Sequence, residues 1–128
     1  MTHHYLTYFH RAKEAAYHLA VVPQPRIQEI LLKIADRIAE EQERLLEENA
    51  RDLALMSPDN PLYDRLQLTA DRLLNIAQEM RNVAYLPTPI GQVLEAKILD
   101  NQLEISRIAV PLGVVGMIYE ARPNVTFD

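Results

Sequence analysis

Apolar residues in this chain keep a helical spacing through the first 85 residues and then alternate, and that single change of period restricts the fold more than any other feature. All three glycines (Gly91, Gly113 and Gly116) lie in the last 38 residues, and none occurs in the first 85. A helical front followed by a β-rich tail is the architecture such a pattern predicts.

The spacing predicts three helices. Tyr5, Phe9, Ala12, Ala16 and Leu19 lie along one face of the first. The second begins after Pro23 and Pro25, where Ile27, Ile30, Leu31, Ile34, Ala35 and Ile38 follow the i, i+3, i+4, i+7 pattern. Its stripe runs on through Leu45, Leu46 and Leu53, with Gln42 and Asn49 as polar interruptions. Glu40–Arg44 and Glu47–Arg51 stand four residues apart in the favourable order for ion pairs. Ser57, Pro58, Asp59, Asn60 and Pro61 supply turn chemistry that ends this helix. The third helix follows Thr69 as N-cap, with Asp71 in its first turn, where the helix dipole favours an anion. Its buried face is expected to be Leu73, Ile76, Ala77, Met80, Val83 and Ala84, and Pro87 and Pro89 close it.

After Gly91 the period is two. Leu94, Ala96 and Ile98 alternate with Glu95, Lys97 and Leu99, and Asp100-Asn101 is a turn dipeptide. A two-residue loop there would set Ile98 against Leu103 and Ala96 against Ile105, with Lys97 facing Glu104. Beyond this hairpin, Val110 to Tyr119 is an almost continuous apolar run. That composition predicts a strand buried on both faces of a parallel sheet. The polar residues after it fall at the strand's C-terminal end, where α/β sheets bind ligands. A parallel strand also needs a crossover and neighbours, so on this reading the sequence is cut short.

Composition narrows the function. Thirteen basic residues are scattered among 18 acidic ones, a net charge of -5, which argues against nucleic acid as a partner. Cysteine is absent, which removes disulfides, cysteine-based zinc sites and any thiol nucleophile from this chain. His3, His4, His10 and His18 lack the i, i+3 or i+4 spacing of helical metal pairs and read as solvated side chains, so no metal is expected. No apolar stretch is long enough to span a bilayer, and a cytoplasmic location is the default expectation.

The segment from Val110 to Thr126, VPLGVVGMIYEARPNVT, resembles the strand and loop that open the dinucleotide domain of γ-glutamyl phosphate reductases, a family of the aldehyde dehydrogenase superfamily. Asn49 to Leu53, Asp64 to Thr69 and Leu86 to Val93 look like further landmarks of the same family, in its order. The resemblance implies an α/β fold of the aldehyde-dehydrogenase kind: three helices, a projecting β-hairpin, then the first strand of a Rossmann-like sheet. It implies residues 1–90 as the helical front of the cofactor-binding domain, 91–110 as a hairpin of the oligomerisation type, and 111–128 as the first dinucleotide-domain strand with its active-site loop. The implied reaction is NADPH-dependent reduction of γ-glutamyl phosphate to glutamate 5-semialdehyde and phosphate, in proline biosynthesis. In that family a cysteine thiolate attacks the acyl phosphate, and its position lies beyond the end of this chain.

By the same resemblance, Tyr119, Glu120 and Pro123 border the nicotinamide end of the cofactor. Asn124 is the candidate oxyanion donor, although an ungapped alignment puts Arg122 at that position instead. Arg122 otherwise suits a carboxylate or phosphate of the substrate, since its planar fork matches either. Glu120 could also accept from the substrate's α-amino group. The plainer alternatives are that Asn124 stabilises a turn after Pro123 and that Glu120 and Arg122 form an exposed ion pair. The hairpin implies a homo-oligomer, and its open edges predict that the isolated chain self-associates. The competing reading is a non-catalytic interaction module of helices and a hairpin.

Overall fold

A computed structural model describes residues 2–120 and 122–127 of the chain. Among them are five helices, α1 (Thr2–Leu19), α2 (Gln24–Glu40), α3 (Gln42–Leu53), α4 (Tyr63–Leu66) and α5 (Ala70–Ala84). They are followed by two strands, β1 (Val93–Ile98) and β2 (Glu104–Ile108), and a 3-10 turn over Pro123–Thr126. No helix among the described residues is long and apolar enough to cross a membrane. The chain forms two compact units. One contains α1 with the segment Pro87–Gly116, and the other contains Pro25–Leu86 with the residues from Met117 onward.

The second unit holds the core. Ala35 and Ile38 of α2 cluster with Leu73, Ile76 and Ala77 of α5, and Leu45, Leu46, Leu68 and Met80 pack around them. The helical members lie on the faces that their spacing predicts, but Ile30 and Ile34 of the expected α2 stripe are 40% and 38% exposed. Leu73, 1% exposed, is the largest fully buried side chain. Arg81 of α5 also reaches Asp36 of α2 at 2.8 Å. Val83 departs from the expected buried face and is 53% exposed.

The long helix expected to run through Leu53 is two helices. Glu41, with φ -91° and ψ 14°, separates α2 from α3. Glu41 N and Leu45 N nevertheless still donate to the carbonyls four residues back, at 3.0 and 2.9 Å. No proline or glycine marks the break. Its surface ion pairs also differ from those expected: Glu41 takes both Arg37 (2.7 Å) and Arg44 (3.5 Å), while Arg51 pairs with Glu48 at 2.7 Å. On an exposed face the i, i+3 and i, i+4 partners are nearly equivalent, so spacing alone does not select one. Earlier on α2, Lys33 and Arg26 both hydrogen-bond Glu29 and hold its carboxyl down at about 2.

Asn49 is the one buried polar side chain among the described residues, 6% exposed on α3. Its Nδ2 donates to the Leu66 carbonyl at 2.9 Å, and its Oδ1 accepts from Leu68 N at 2.7 Å. It therefore pairs with backbone groups on both sides of the bend between α4 and α5. What reads as an interruption of the apolar stripe is the bond that ties α3 to the next segment. Thr69 caps α5 as expected, with Oγ1 accepting from Arg72 N at 3.2 Å.

In the first unit, β1 and β2 pair antiparallel. The hairpin loop is one residue longer than expected, which shifts the register. Gln102 N donates to Leu99 O at 2.8 Å, which places Asp100 and Asn101 at the centre of a β-turn. Gln102 then adopts φ 65°, and Leu99 N closes the loop on Leu103 O at 2.9 Å. A type I turn needs such an additional left-handed residue to match the twist of the flanking strands, and glycine usually supplies it. Here glutamine does. Ile98 consequently faces Glu104, Lys97 faces Ile105 and Ala96 faces Ser106. The cross-strand ion pair is Glu95 with Arg107, at 3.8 Å, in place of Lys97 with Glu104. A bulge between Val93 and Glu95 shifts the register once more.

The apolar run after the hairpin is not a strand. Residues 111–119 make no ladder, Leu112 is 95% exposed and Ile118 is fully exposed. A parallel strand is stabilised by neighbours on its edges and helices on its faces. α1 adjoins the start of the run through Phe9, Ala16 and Tyr17, but among the described residues no strand pairs with it. The expected apolar face of α1 is likewise open, with Tyr5, Phe9 and Leu19 all exposed.

Replacing Asn49 with alanine leaves the Leu66 carbonyl and the Leu68 amide without their partner. Chemical denaturation of the N49A chain should show a loss of about 2–4 kcal/mol. A loss below ~0.5 kcal/mol would mean that water replaces the amide at no cost.

Candidate functional site

The bend between α4 and α5 is fixed from two directions. Asn49 grips Leu66 and Leu68, as above. From the other side Arg72, in the first turn of α5, donates through Nη1 to the carbonyls of Asp64 and Gln67, each at 2.6 Å. Its Nη2 also reaches Asp64 Oδ1 at 3.0 Å. One guanidinium thus satisfies two carbonyls and neutralises one carboxylate, a geometry that suits its rigid fork. Arg65, between the two anchored points, has its backbone held while its side chain stays exposed.

The tail of the second unit ends in a local fold of its own. Pro123 opens the 3-10 turn, where its fixed φ costs nothing and no amide is needed. Phe127 N closes the turn on Asn124 O at 2.8 Å, and the Tyr119 hydroxyl hydrogen-bonds Thr126 Oγ1 at 2.6 Å.

Arg122 and Asn124 line a cleft of about 420 Å³ together with Arg65 and Arg72, and with Asn75 and Glu79 of α5. That size is ordinary for a small-molecule site, and eight of its ten lining residues are polar. The structure thus brings together two of the residues singled out from sequence. Tyr119 and Glu120 are exposed and do not line this cleft, and Glu120 does not pair with Arg122. Pro123 contributes the turn. The sequence reading missed Arg65, Asn75 and Glu79. The polar positions 72, 75 and 79 do recur along one side of α5, but a polar helix face is ordinarily just a solvated one. Only the tail folding in the same unit marks it out.

No family model matches the chain. Over 120 residues, 94% of its length, it is 50% identical to γ-glutamyl phosphate reductase of Bacteroides fragilis (strain YCH46), of which it covers 29%. It is 48% identical over 118 residues to the same enzyme of Chlorobium phaeobacteroides (strain BS1), covering 92% of this chain and 28% of that one. In structure, 91% of the chain superposes on γ-glutamyl phosphate reductase of Thermotoga maritima with a TM-score of 0.82, at 30% identity and 29% of that chain. The Saccharomyces cerevisiae enzyme gives 0.83 at 30% identity, over 91% of this chain and 30% of that one.

The chain is similar in sequence and in fold to the γ-glutamyl phosphate reductases. It matches their N-terminal part and spans about 29% of the length of the curated relatives. The sequence resemblance is therefore shown independently by alignment and by fold. It extends over most of the chain, 94% in sequence and 91% in structure.

If Arg72 shapes this cleft by clamping the bend, lysine cannot replace it, because an ammonium lacks the fork that meets three oxygens. R72K should lose about 1–2 kcal/mol in denaturant unfolding. Amide exchange should quicken at Gln67 and Leu68, and unchanged exchange there would show that Asn49 alone holds the bend.

Proposed function

We propose that this chain is the N-terminal part of a γ-glutamyl phosphate reductase, an NADPH-dependent oxidoreductase that acts on a small acyl phosphate in proline biosynthesis in the cytoplasm. The observation that carries the reading is identity of 50% across 94% of the chain, joined to a superposition at TM-score 0.82. In this reading residues 1–90 are the helical front of the cofactor-binding domain, 91–110 the oligomerisation hairpin, and 111–128 the opening of the dinucleotide domain.

Bound NADPH supplies the hydride. Tyr119, Glu120 and Pro123 fit a contact with the nicotinamide end: two are exposed polar groups, and Pro123 starts the turn beside them. The Tyr119 hydroxyl, fixed by Thr126, sets the rim on which they stand. Gly113 and Gly116 lie in irregular backbone without a following α-helix among the described residues, so in this chain they offer no helix N-terminus to the cofactor's phosphates. The thiol that attacks the acyl phosphate also comes from outside it, as this chain contains no cysteine.

Arg122 pairs with a carboxylate or phosphate oxygen of the substrate. It has no ion-pair partner among the described residues, so its charge is available. Asn124 donates an amide hydrogen to the oxygen that gains charge when the acyl carbon is attacked. A preorganised donor of this kind contributes about 10²–10³-fold in kcat.

A chimera of this chain with the remaining part of the Bacteroides fragilis reductase tests the reading. It should oxidise NADPH in a manner dependent on γ-glutamyl phosphate. N124A should lower kcat by about 10²–10³-fold with little change in KM, and R122A should chiefly raise KM for the acyl phosphate. An inactive chimera beside an active parent enzyme would overturn the reading.

The hairpin is the oligomerisation element of this reading. Every residue of β1 and β2 is exposed and the two-stranded sheet leaves both edges open. The isolated chain should therefore sediment as a dimer or larger species, and proline at Ile105 should shift it toward monomer. A monodisperse monomer in analytical ultracentrifugation would count against this role. It would equally weaken the alternative of a non-catalytic interaction module, whose support is the same exposed surface.

A further inference from the structure

The cleft contains charges for which the proposed roles of Arg122 and Asn124 do not account. On α5, Arg72, Asn75, Ile76 and Glu79 occupy i, i+3, i+4 and i+7, so one helical face is turned to this space. Asp64 is already matched by Arg72 at 3.0 Å. Arg65, Arg122 and Glu79 take part in no ion pair among the described residues. The lining therefore offers two uncompensated cations and one uncompensated anion.

That pattern selects among ligand classes. A simple anion, or a dicarboxylate, would satisfy the arginines and leave Glu79 as an unfavourable neighbour. A cationic ligand would satisfy Glu79 and leave both arginines unmatched. An α-amino acid with a second anionic group at its far end carries one ammonium and two anions, the complement of the three free charges. The size of the cleft, about 420 Å³, also suits a molecule of that kind.

We propose that Arg65 and Glu79 complete, with Arg122, a subsite for the charged end of a glutamyl substrate. Arg65 takes the α-carboxylate, Glu79 accepts from the α-ammonium, and Arg122 is left for the anionic group at the γ end. The assignment rests on the reductase reading for its substrate and deepens it. It moves the ammonium contact from Glu120, which does not line the cleft, to Glu79, which does. Arg65 is suited to the task because Arg72 holds the Asp64 carbonyl before it and Asn49 the Leu66 carbonyl after it. Its side chain enters a position that the fold has already set, so little ordering remains for the ligand to impose.

The test uses the full 128-residue chain and three stable probes in ligand-observed saturation-transfer titrations, which tolerate self-association. L-Glutamate carries all three charges, glutarate lacks the ammonium and 4-aminobutyrate lacks the α-carboxylate. L-Glutamate should bind about tenfold more tightly than either of the others. E79Q should abolish the preference over glutarate while keeping that over 4-aminobutyrate, and R65Q should do the reverse. Both positions are exposed, and circular dichroism checks that each variant keeps its helices. Equal binding of the three probes by the unmodified chain, or preferences that neither variant changes, would overturn the subsite. The probes need neither cofactor nor acyl phosphate, so the result is separable from the chimera assay. An active chimera with indifferent probe binding removes this subsite alone, whereas an inactive chimera removes the reductase reading and the subsite with it.

Discussion

The buried amide of Asn49 is the interaction on which the rest of the second unit depends. Asparagine is a poor helix former because its side chain competes for backbone hydrogen bonds. On α3 that tendency is turned outward, to the Leu66 carbonyl and the Leu68 amide, rather than back onto its own helix. The two groups lie where α4 ends and α5 has not yet begun, so no helix satisfies them. An apolar residue at position 49 would extend the stripe and still lose, because the bend would be buried with an orphaned donor and acceptor. The amide thereby fixes where α5 starts, and Thr69 caps it there. Leu73, Ile76 and Ala77 reach the core from that starting point.

The same bend connects stability to chemistry. Arg72 belongs to the first turn of α5 but spends its guanidinium on the segment before it. Two carbonyls and one carboxylate of that segment converge on a single side chain. A short four-residue helix such as α4 has little stability of its own. Held between Asn49 and Arg72, it becomes a fixed platform for Arg65. The cleft's charges then sit on pinned backbone on one side and on the hydrogen-bonded turn of the tail on the other. Pinning both walls in advance lowers the cost of ordering a ligand between them.

Much of the local structure was legible. The apolar spacing of α2 and α5, the turn chemistry from Ser57 to Pro61 and the Thr69 cap are properties of short windows, and each appears in the fold as read. The hairpin was legible as a hairpin, but its register was not. Asp100 and Asn101 mark the turn, whereas the extra residue depends on Gln102 accepting a left-handed backbone that its side chain gives no reason to expect. The Val110-to-Tyr119 run forms no strand here for a related reason. Its composition describes a surface that wants covering, and composition carries no information about whether a cover is within reach. The candidate site divides in the same manner: Arg122 and Asn124 stand in a recognisable loop, while Arg65, Asn75 and Glu79 look like ordinary surface until the tail folds beside them.

By itself the sequence determined the periodicity of α2 and α5, the turn between β1 and β2, the absence of a thiol from this chain and the resemblance to the γ-glutamyl phosphate reductases. Those follow from local periodicity, single-residue chemistry and the order of short motifs, none of which needs a partner distant in the chain. The tertiary structure alone decided the bridging role of Asn49, the clamp made by Arg72, the one-residue shift of the hairpin and the set of charges around the cleft. Each of these joins groups whose separation in sequence says nothing about their separation in space. Hydrogen bonding and charge matching act on the latter.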